Sequence, residues 1–185
     1  SAINIFEGTA RSAGDERNVF MRVAEIEGVY YLDLCDKKIQ VVKIDASGWE
    51  LMFEPQVMFY QSQNMRPLPE PIAGGDFSKL WKFVNIPEDY QGILTVLLLE
   101  WLRDNTTQPL LELIGEQGCG KSLIAKFLRK LIDPNRVPLR GIRQKVEDAY
   151  ILASNSHIYT IKMRPILKTN YRTLFAHSQL VEVVP

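Results

Sequence analysis

One octapeptide constrains this chain more than any other stretch. Residues 115–122 read Gly115-Glu-Gln-Gly-Cys-Gly-Lys-Ser122, which satisfies G-x-x-x-x-G-K-[ST]. The pattern has a structural meaning only between a buried strand and a helix. Both flanks comply. Pro109-Leu-Leu-Glu-Leu-Ile114 is an apolar run of strand length, and Leu123, Ile124, Phe127, Leu128, Leu131 and Ile132 follow at helical spacing. The residue types suit phosphate. Gly115, Gly118 and Gly120 let the backbone curl with no Cβ in the way, so amide N–H groups converge on an anion. The next helix adds the positive end of its dipole. Gly115, Glu116, Gln117, Gly118, Cys119, Gly120, Lys121 and Ser122 are therefore the candidate nucleotide site. Lys121 is expected on the β- and γ-phosphates of ATP, and the Ser122 hydroxyl on Mg²⁺.

The rest of the composition is that of a globular chain. Its 185 residues are 46% apolar and 24% charged. There is no apolar run long enough to span a bilayer, so no membrane partner is expected. No signal-peptide pattern opens the sequence, and the first residue is Ser1, as expected of a fragment or a processed product. Cys35 and Cys119 have neither metal-site nor disulfide-framework spacing, which points to a reducing, cytoplasmic setting. Charge is distributed unevenly. Residues 1–120 hold 10 Lys/Arg against 18 Asp/Glu, a balance of −8, and residues 121–185 hold 12 against 4, a balance of +8. The basic half begins at the phosphate motif. That makes DNA a second candidate partner, through the basic 121–145 segment, beside the simpler reading of a solvated helix face.

Upstream the period is two. Val19–Ile26, Val29–Leu34, Ile39–Ile44 and Trp49–Phe53 are separated by the turn signals Glu27-Gly28, Asp36-Lys37-Lys38 and Asp45-Ala-Ser-Gly48. Residues 1–60 thus read as an antiparallel β-meander, with Val57–Tyr60 a further short strand. Residues 61–75, with Pro67, Pro69, Pro71, Gly74 and Gly75, are a connector, and a domain boundary is expected there. Residues 76–185 read as a helical lead-in and a partial P-loop core. Asp76 or Ser78 caps a short helix, and Pro87, Glu88 and Asp89 open a longer one. That helix carries Ile93, Leu94, Val96, Leu97, Leu98, Trp101 and Leu102, apolar nearly all round, so it is expected to be buried. Asp133-Pro-Asn135 stops the P-loop helix, Glu147–Ala153 is a further helix, and His157–Ile161 is the expected next core strand. The fold class is α/β: an incomplete P-loop NTPase core preceded by a small antiparallel meander. In such cores the next strand ends in an acid that helps hold Mg²⁺. Here it ends in Lys162-Met163-Arg164, and after Asp148 the next carboxylate is Glu182. His157 and His177 lack a partner at a catalytic or ligand spacing and read as structural, as do Trp81 and Trp101.

Several further strings carry a family resemblance. They are Tyr31-Leu-Asp-Leu34, Gly48-Trp49, Leu68-Pro-Glu-Pro71, Phe83-Val-Asn85, Leu131-Ile-Asp-Pro-Asn135, Pro138-Leu-Arg140 and Ala153-Ser-Asn-Ser156. With the P-loop, they resemble ATP-binding proteins of phages, prophages and integrative elements, P-loop ATPases of the primase-associated, superfamily 3 helicase-like kind. The likeness covers residues 25–160. It implies ATP and Mg²⁺ as cofactors, DNA-linked hydrolysis in element replication, and homo-oligomers of the full-length protein. It stops near Thr160, where the family's strand ending in Asp-Asn, then Leu-Ser-Asp, Leu-Cys and Leu-Ala-Thr-Gly-Gly, is not found. Codons for Asn170 to Glu182, read from each third base, permit most of those letters in order. A one-nucleotide slip near codon 160 is therefore one expectation for residues 161–185. True divergence, with a real strand at Leu180–Val184, is the other. Three functional readings stand at this point: a DNA-linked ATPase, a nucleotide-binding module without turnover, and a scaffold.

Overall fold

A computed structural model describes residues 17–104, 106, 109–141, 146–162 and 180–183. The chain is mixed α/β. Strands β1 (Val19–Phe20), β2 (Val23–Ile26), β3 (Val29–Asp33), β4 (Gln40–Asp45), β5 (Gly48–Phe53) and β6 (Met58–Phe59) come first. A 3₁₀ helix (Phe77–Lys82) and α1 (Glu88–Glu100) follow. Then come β7 (Leu110–Leu113), α2 (Lys121–Ile132), β8 (Arg140–Gly141), α3 (Val146–Ala153), β9 (Ile161–Lys162) and β10 (Leu180–Val183).

The meander forms as its alternation predicts. β2, β3, β4 and β5 make a four-stranded antiparallel sheet in that order, with Val23 opposite Leu32, Leu32 opposite Val42 and Val42 opposite Leu51. Two-residue turns join β2 to β3 at Glu27-Gly28 and β4 to β5 at Ala46-Ser47. At the second, Asp45 Oδ1 accepts from Ser47 N at 2.8 Å and from Ser47 Oγ at 2.5 Å, the local bonding that makes Asp a turn former. The expected Val57–Tyr60 strand is present as β6, and it pairs in parallel with β1.

The first expected strand differs. Val19–Ile26 is broken at Arg22, which sits at φ 65° while Val23 N bonds to Met21 O at 2.7 Å. A left-handed non-glycine residue is strained, and it persists where its surroundings over-determine it. Those surroundings are a buried charge network. Arg22 Nε lies 3.3 Å from Asp133 Oδ1, and its terminal nitrogens donate to the carbonyls of Asp33 (3.0 Å), Arg66 (2.9 Å) and Pro134 (3.4 Å). Asp133 follows directly on α2 and also takes Arg129 Nη2 at 3.1 Å and Ile158 N at 3.2 Å. Arg22, Arg129 and Asp133 are all fully buried. Asp133-Pro134-Asn135 is therefore more than a helix stop. It is where the meander, the connector and α2 are joined.

The connector is joined there too. Arg66 N donates to Pro134 O at 2.9 Å and Arg136 N to Asn64 O at 2.7 Å. Residues 61–75 thus carry hydrogen bonds between the two halves of the chain.

The apolar core lies between the 3₁₀ helix, α1 and α2. Leu80, Val84, Ile86, Leu94, Leu97, Leu98, Trp101, Ile124, Leu128, Ile132 and Ile158 form one buried cluster. Asp76 is the cap of the 3₁₀ helix, accepting from Ser78 N at 3.0 Å. The expectation that α1 is buried all round fails. Leu94, Leu97, Leu98 and Trp101 face the core, while Ile93, Val96 and Leu99 are 49–59% exposed. A helix packed on one side buries one stripe whatever the opposite face carries. Among the described residues, no helix is long and apolar enough to cross a membrane.

The strand expected at His157–Ile161 is present only as Ile161–Lys162, and one backbone donor before it is taken by a side chain. Ile158 N goes to Asp133, and His157 Nε2 lies 2.6 Å from Trp101 O. β9 pairs in parallel with β8, Arg140 beside Ile161. The strand beside β7 is β10, parallel, with Leu180 at Leu110 and Val183 at Leu113. A strand at Leu180–Val183 is the feature that true divergence anticipated at Leu180–Val184. Residues 163–179 and 184–185, on which the frame-slip expectation chiefly bears, lie outside the described residues, as does His177.

Candidate nucleotide-binding loop

The loop is held between β7 and α2. β7 is four residues long and half-buried, with Leu111 and Leu113 packed against the core cluster. α2 is anchored on the same cluster by Ile124, Leu128 and Ile132 at i, i+4 and i+8. Phe127 stacks on Phe83 with centroids 5.7 Å apart. Leu123 and Leu131, on the edges of the expected apolar stripe, are exposed. Both ends of the loop therefore rest on packed elements, while Gly115, Glu116, Gln117 and Gly118 lie open to solvent.

Local geometry explains two of the three glycines. Gly118 has φ 94° and Gly120 φ 90°, a region that costs a side-chain-bearing residue about 1–2 kcal/mol. A Cβ built on either meets nothing within 4 Å, so open space stands over the loop. Gly115 does not adopt a positive φ, so the left-handed turn is the work of Gly118 and Gly120.

Gly120 also caps α2. Its carbonyl accepts from Leu123 N at 2.8 Å and Ile124 N at 3.0 Å. The N–H groups of Gly118, Gly120, Lys121 and Ser122 meet no acceptor among the described residues. Those are the donors that a helix N-terminus leaves for an anion.

Lys121 is folded onto its own loop. Its Nζ donates to Gly115 O at 2.7 Å and to Glu116 O, and lies 3.3 Å from Cys119 Sγ. The ammonium is thus held by the loop's own carbonyls. An incoming phosphate must draw it off those carbonyls, exchanging neutral acceptors for a charged one. The Ser122 hydroxyl is half-buried and has no hydrogen-bond partner among the described residues.

The carboxylates nearest the loop in the chain and the sheet are Glu116 within it, Glu112 on β7 and Glu182 on β10, opposite Glu112. Among the described residues no group of three or more His, Cys, Asp or Glu is placed to hold a metal. Asp148, on α3, is exposed. The residues present fit a triphosphate: paired left-handed glycines, unpaired amides, a lysine within the loop. For Mg²⁺ they would offer the Ser122 hydroxyl.

Of the basic 121–145 segment, Lys126, Lys130 and Arg136 are exposed. Arg129 is not available to DNA, being wholly buried against Asp133. Arg143 and Lys145 lie outside the described residues. Cys35 and Cys119 are both free thiols, and burial raises the pKa of Cys35.

Sequence reasoning missed the Arg22–Asp133–Arg129 cluster. The one signal was an aspartate ending a helix inside a string that also carried the family likeness. The chain matches no family model, no curated protein and no solved structure.

Proposed function

We propose that the chain binds ATP-Mg²⁺ through residues 115–122. The observation that carries this is the loop between β7 and α2, with Gly118 and Gly120 left-handed and four amides without an acceptor among the described residues, beside Lys121. In this reading the amides of Gly118, Gly120, Lys121 and Ser122 would hold phosphate oxygens, Lys121 would neutralise the β- and γ-phosphates, and Ser122 would ligate Mg²⁺. Lys121→Ala should abolish binding of a fluorescent ATP analogue and leave the circular dichroism unchanged. Equal binding by the variant would sink the proposal. A second measurement is independent of the probe: ATP at 100 times its Kd should stabilise the wild type by about 2.7 kcal/mol, and the variant not at all.

A specific observation favours binding without efficient turnover. Hydrolysis needs a carboxylate or an equivalent polar group to fix metal and water. The segment expected to supply it reaches Lys162 and pairs with β8 rather than β7. Single-turnover hydrolysis, measured on this chain and on one with the frame restored from codon 160, tests the point. Comparable rates would refute the missing-acid argument. DNA-stimulated phosphate release by this chain would instead favour a working DNA-linked ATPase of mobile-element replication, the activity the resemblance implies.

A further inference from the structure

The phosphate loop has an apolar path leading away from it. α2 buries Ile124, Leu128 and Ile132 and turns Lys126 and Lys130 to solvent. Leu123 and Phe127 lie on the edge between those two faces, one turn apart. Leu123 is 63% exposed. Phe127 is covered by Phe83, whose ring stacks on it with the planes 14° apart. Phe83 is itself 66% exposed. One face of its ring rests on Phe127, so the open surface is that of the other.

The segment that carries Phe83 runs toward the loop. Phe77 lines a cleft with Leu131 and Ile132, at the far end of α2, and Phe83 reaches Phe127, nearer the start of the helix. The 3₁₀ helix is thus antiparallel to α2. Val84 and Ile86, which follow, are buried, and Asn85 between them is exposed. Its amide, a donor and an acceptor, has no hydrogen-bond partner among the described residues. Asn85 is the next exposed side chain along the chain in the direction of the loop.

A single exposed apolar side chain needs no explanation. Here two stand in line from a set of phosphate donors. Six residues separate Lys121 from Phe127, about 9 Å along the helix axis. A ribose and a base can span that interval when the phosphates are held at the helix N-terminus. The opposite flank of α2 offers only Lys126 and Lys130, on which a base has nothing to stack. An aromatic ring provides that surface, because every base has a π-face. We infer that the open face of Phe83 seats the base of the bound nucleotide, with Leu123 against the ribose and Asn85 hydrogen-bonding to the sugar. This rests on the phosphate site proposed above. It gives that site a preference for a nucleoside triphosphate over a bare polyphosphate, which the loop by itself does not have.

Isothermal titration calorimetry of the full chain with ATP and with inorganic tripolyphosphate, each with Mg²⁺, tests it. The wild type should bind ATP the more tightly. Phe83→Ala should weaken ATP at least about fivefold, the lower end for loss of a base–aromatic stack, and leave tripolyphosphate unchanged. Phe83→Tyr keeps the π-face and should keep the wild-type affinity for ATP. Asn85→Ala should also weaken ATP and spare tripolyphosphate. Phe53→Ala, a comparably exposed ring on the meander, should alter neither ligand. Unchanged ATP affinity in Phe83→Ala overturns the inference. So does an equal loss of both ligands, which would mean that the ring only supports Phe127 and the helix. Failure of the phosphate site itself looks different: the wild type would bind neither ligand, or Lys121→Ala would bind both as the wild type does.

Discussion

Replacing Asp133 by asparagine tests the junction that organises the molecule. The substitution keeps the shape of the side chain and removes its charge. In the wild type, the carboxylate meets Arg22 Nε at 3.3 Å, Arg129 Nη2 at 3.1 Å and Ile158 N at 3.2 Å, and none of the three charged side chains has solvent access. A neutral amide in place of that carboxylate would leave two buried guanidinium groups with only neutral acceptors, backbone carbonyls and the Thr160 hydroxyl. Burial already pulls the pKa of Arg129 down, and Asp133 is the main opposing influence. Removing one partner of a buried pair costs about 3–5 kcal/mol. Domains are stable by ~5–15 kcal/mol, so about a fifth or more of the margin is at stake. At about 2–4 °C per kcal/mol for a chain of this size, the midpoint should fall by roughly 6–20 °C. Thermal unfolding followed by tryptophan fluorescence reads it, since Trp101 lies in the core. The triple change Arg22→Met/Asp133→Leu/Arg129→Met should lose less than Asp133→Asn alone, because an apolar trio leaves no buried charge unanswered. A loss below about 1 kcal/mol for Asp133→Asn, or no difference between the single and triple variants, would refute the reasoning.

Two other outcomes follow from the geometry. His157 is held with Nε2 on Trp101 O, and its burial pushes its pKa below the ordinary 6.5. The unfolded chain then binds the proton more readily, so His157 stabilises the fold fully above pH 6.5 and loses that contribution as pH falls through the folded value. Unfolding midpoints should decline from pH 7 toward pH 5, and His157→Gln should flatten the decline; an unchanged profile would count against it. Gly120→Ala forces a Cβ into φ 90° where no atom crowds it, so its cost is conformational. That is about 1–2 kcal/mol, which should appear as weaker binding of the ATP analogue at little cost in fold; unaltered affinity would mean that the loop does not need its left-handed turn.

What could be read from the chain alone was local. Glu27-Gly28 and Asp45-Ala46-Ser47 announce two-residue turns because the constraint lies within the turn itself. The period-two runs beside them could therefore be aligned into a meander without knowing what covers it. The octapeptide 115–122 is local in the same sense. Its glycines, its lysine and the α2 N-terminus lie within eight residues, so the loop needs only a strand before it and a helix after it. Apolar spacing also placed the core stripe of α2.

Tertiary structure decided what depends on residues far apart. The break at Arg22 has no sequence signal, because its reason is Asp133, 111 positions away. α1 looked apolar on every side; which stripe is buried was settled by the position of α2 and the 3₁₀ helix, not by composition. The partner of β7 is β10 rather than the segment before β9, since pairing is chosen by where the backbone's other bonds go, and Ile158 N is already committed to Asp133. Likewise, the charge of residues 121–145 is visible as a count, yet burial withdraws Arg129 and the connector adds Arg66. Sequence determines charge and period one residue at a time. Which charges stay in water, and which apolar faces leave it, follows only when distant segments meet and the cost of an unpaired buried group selects the partners.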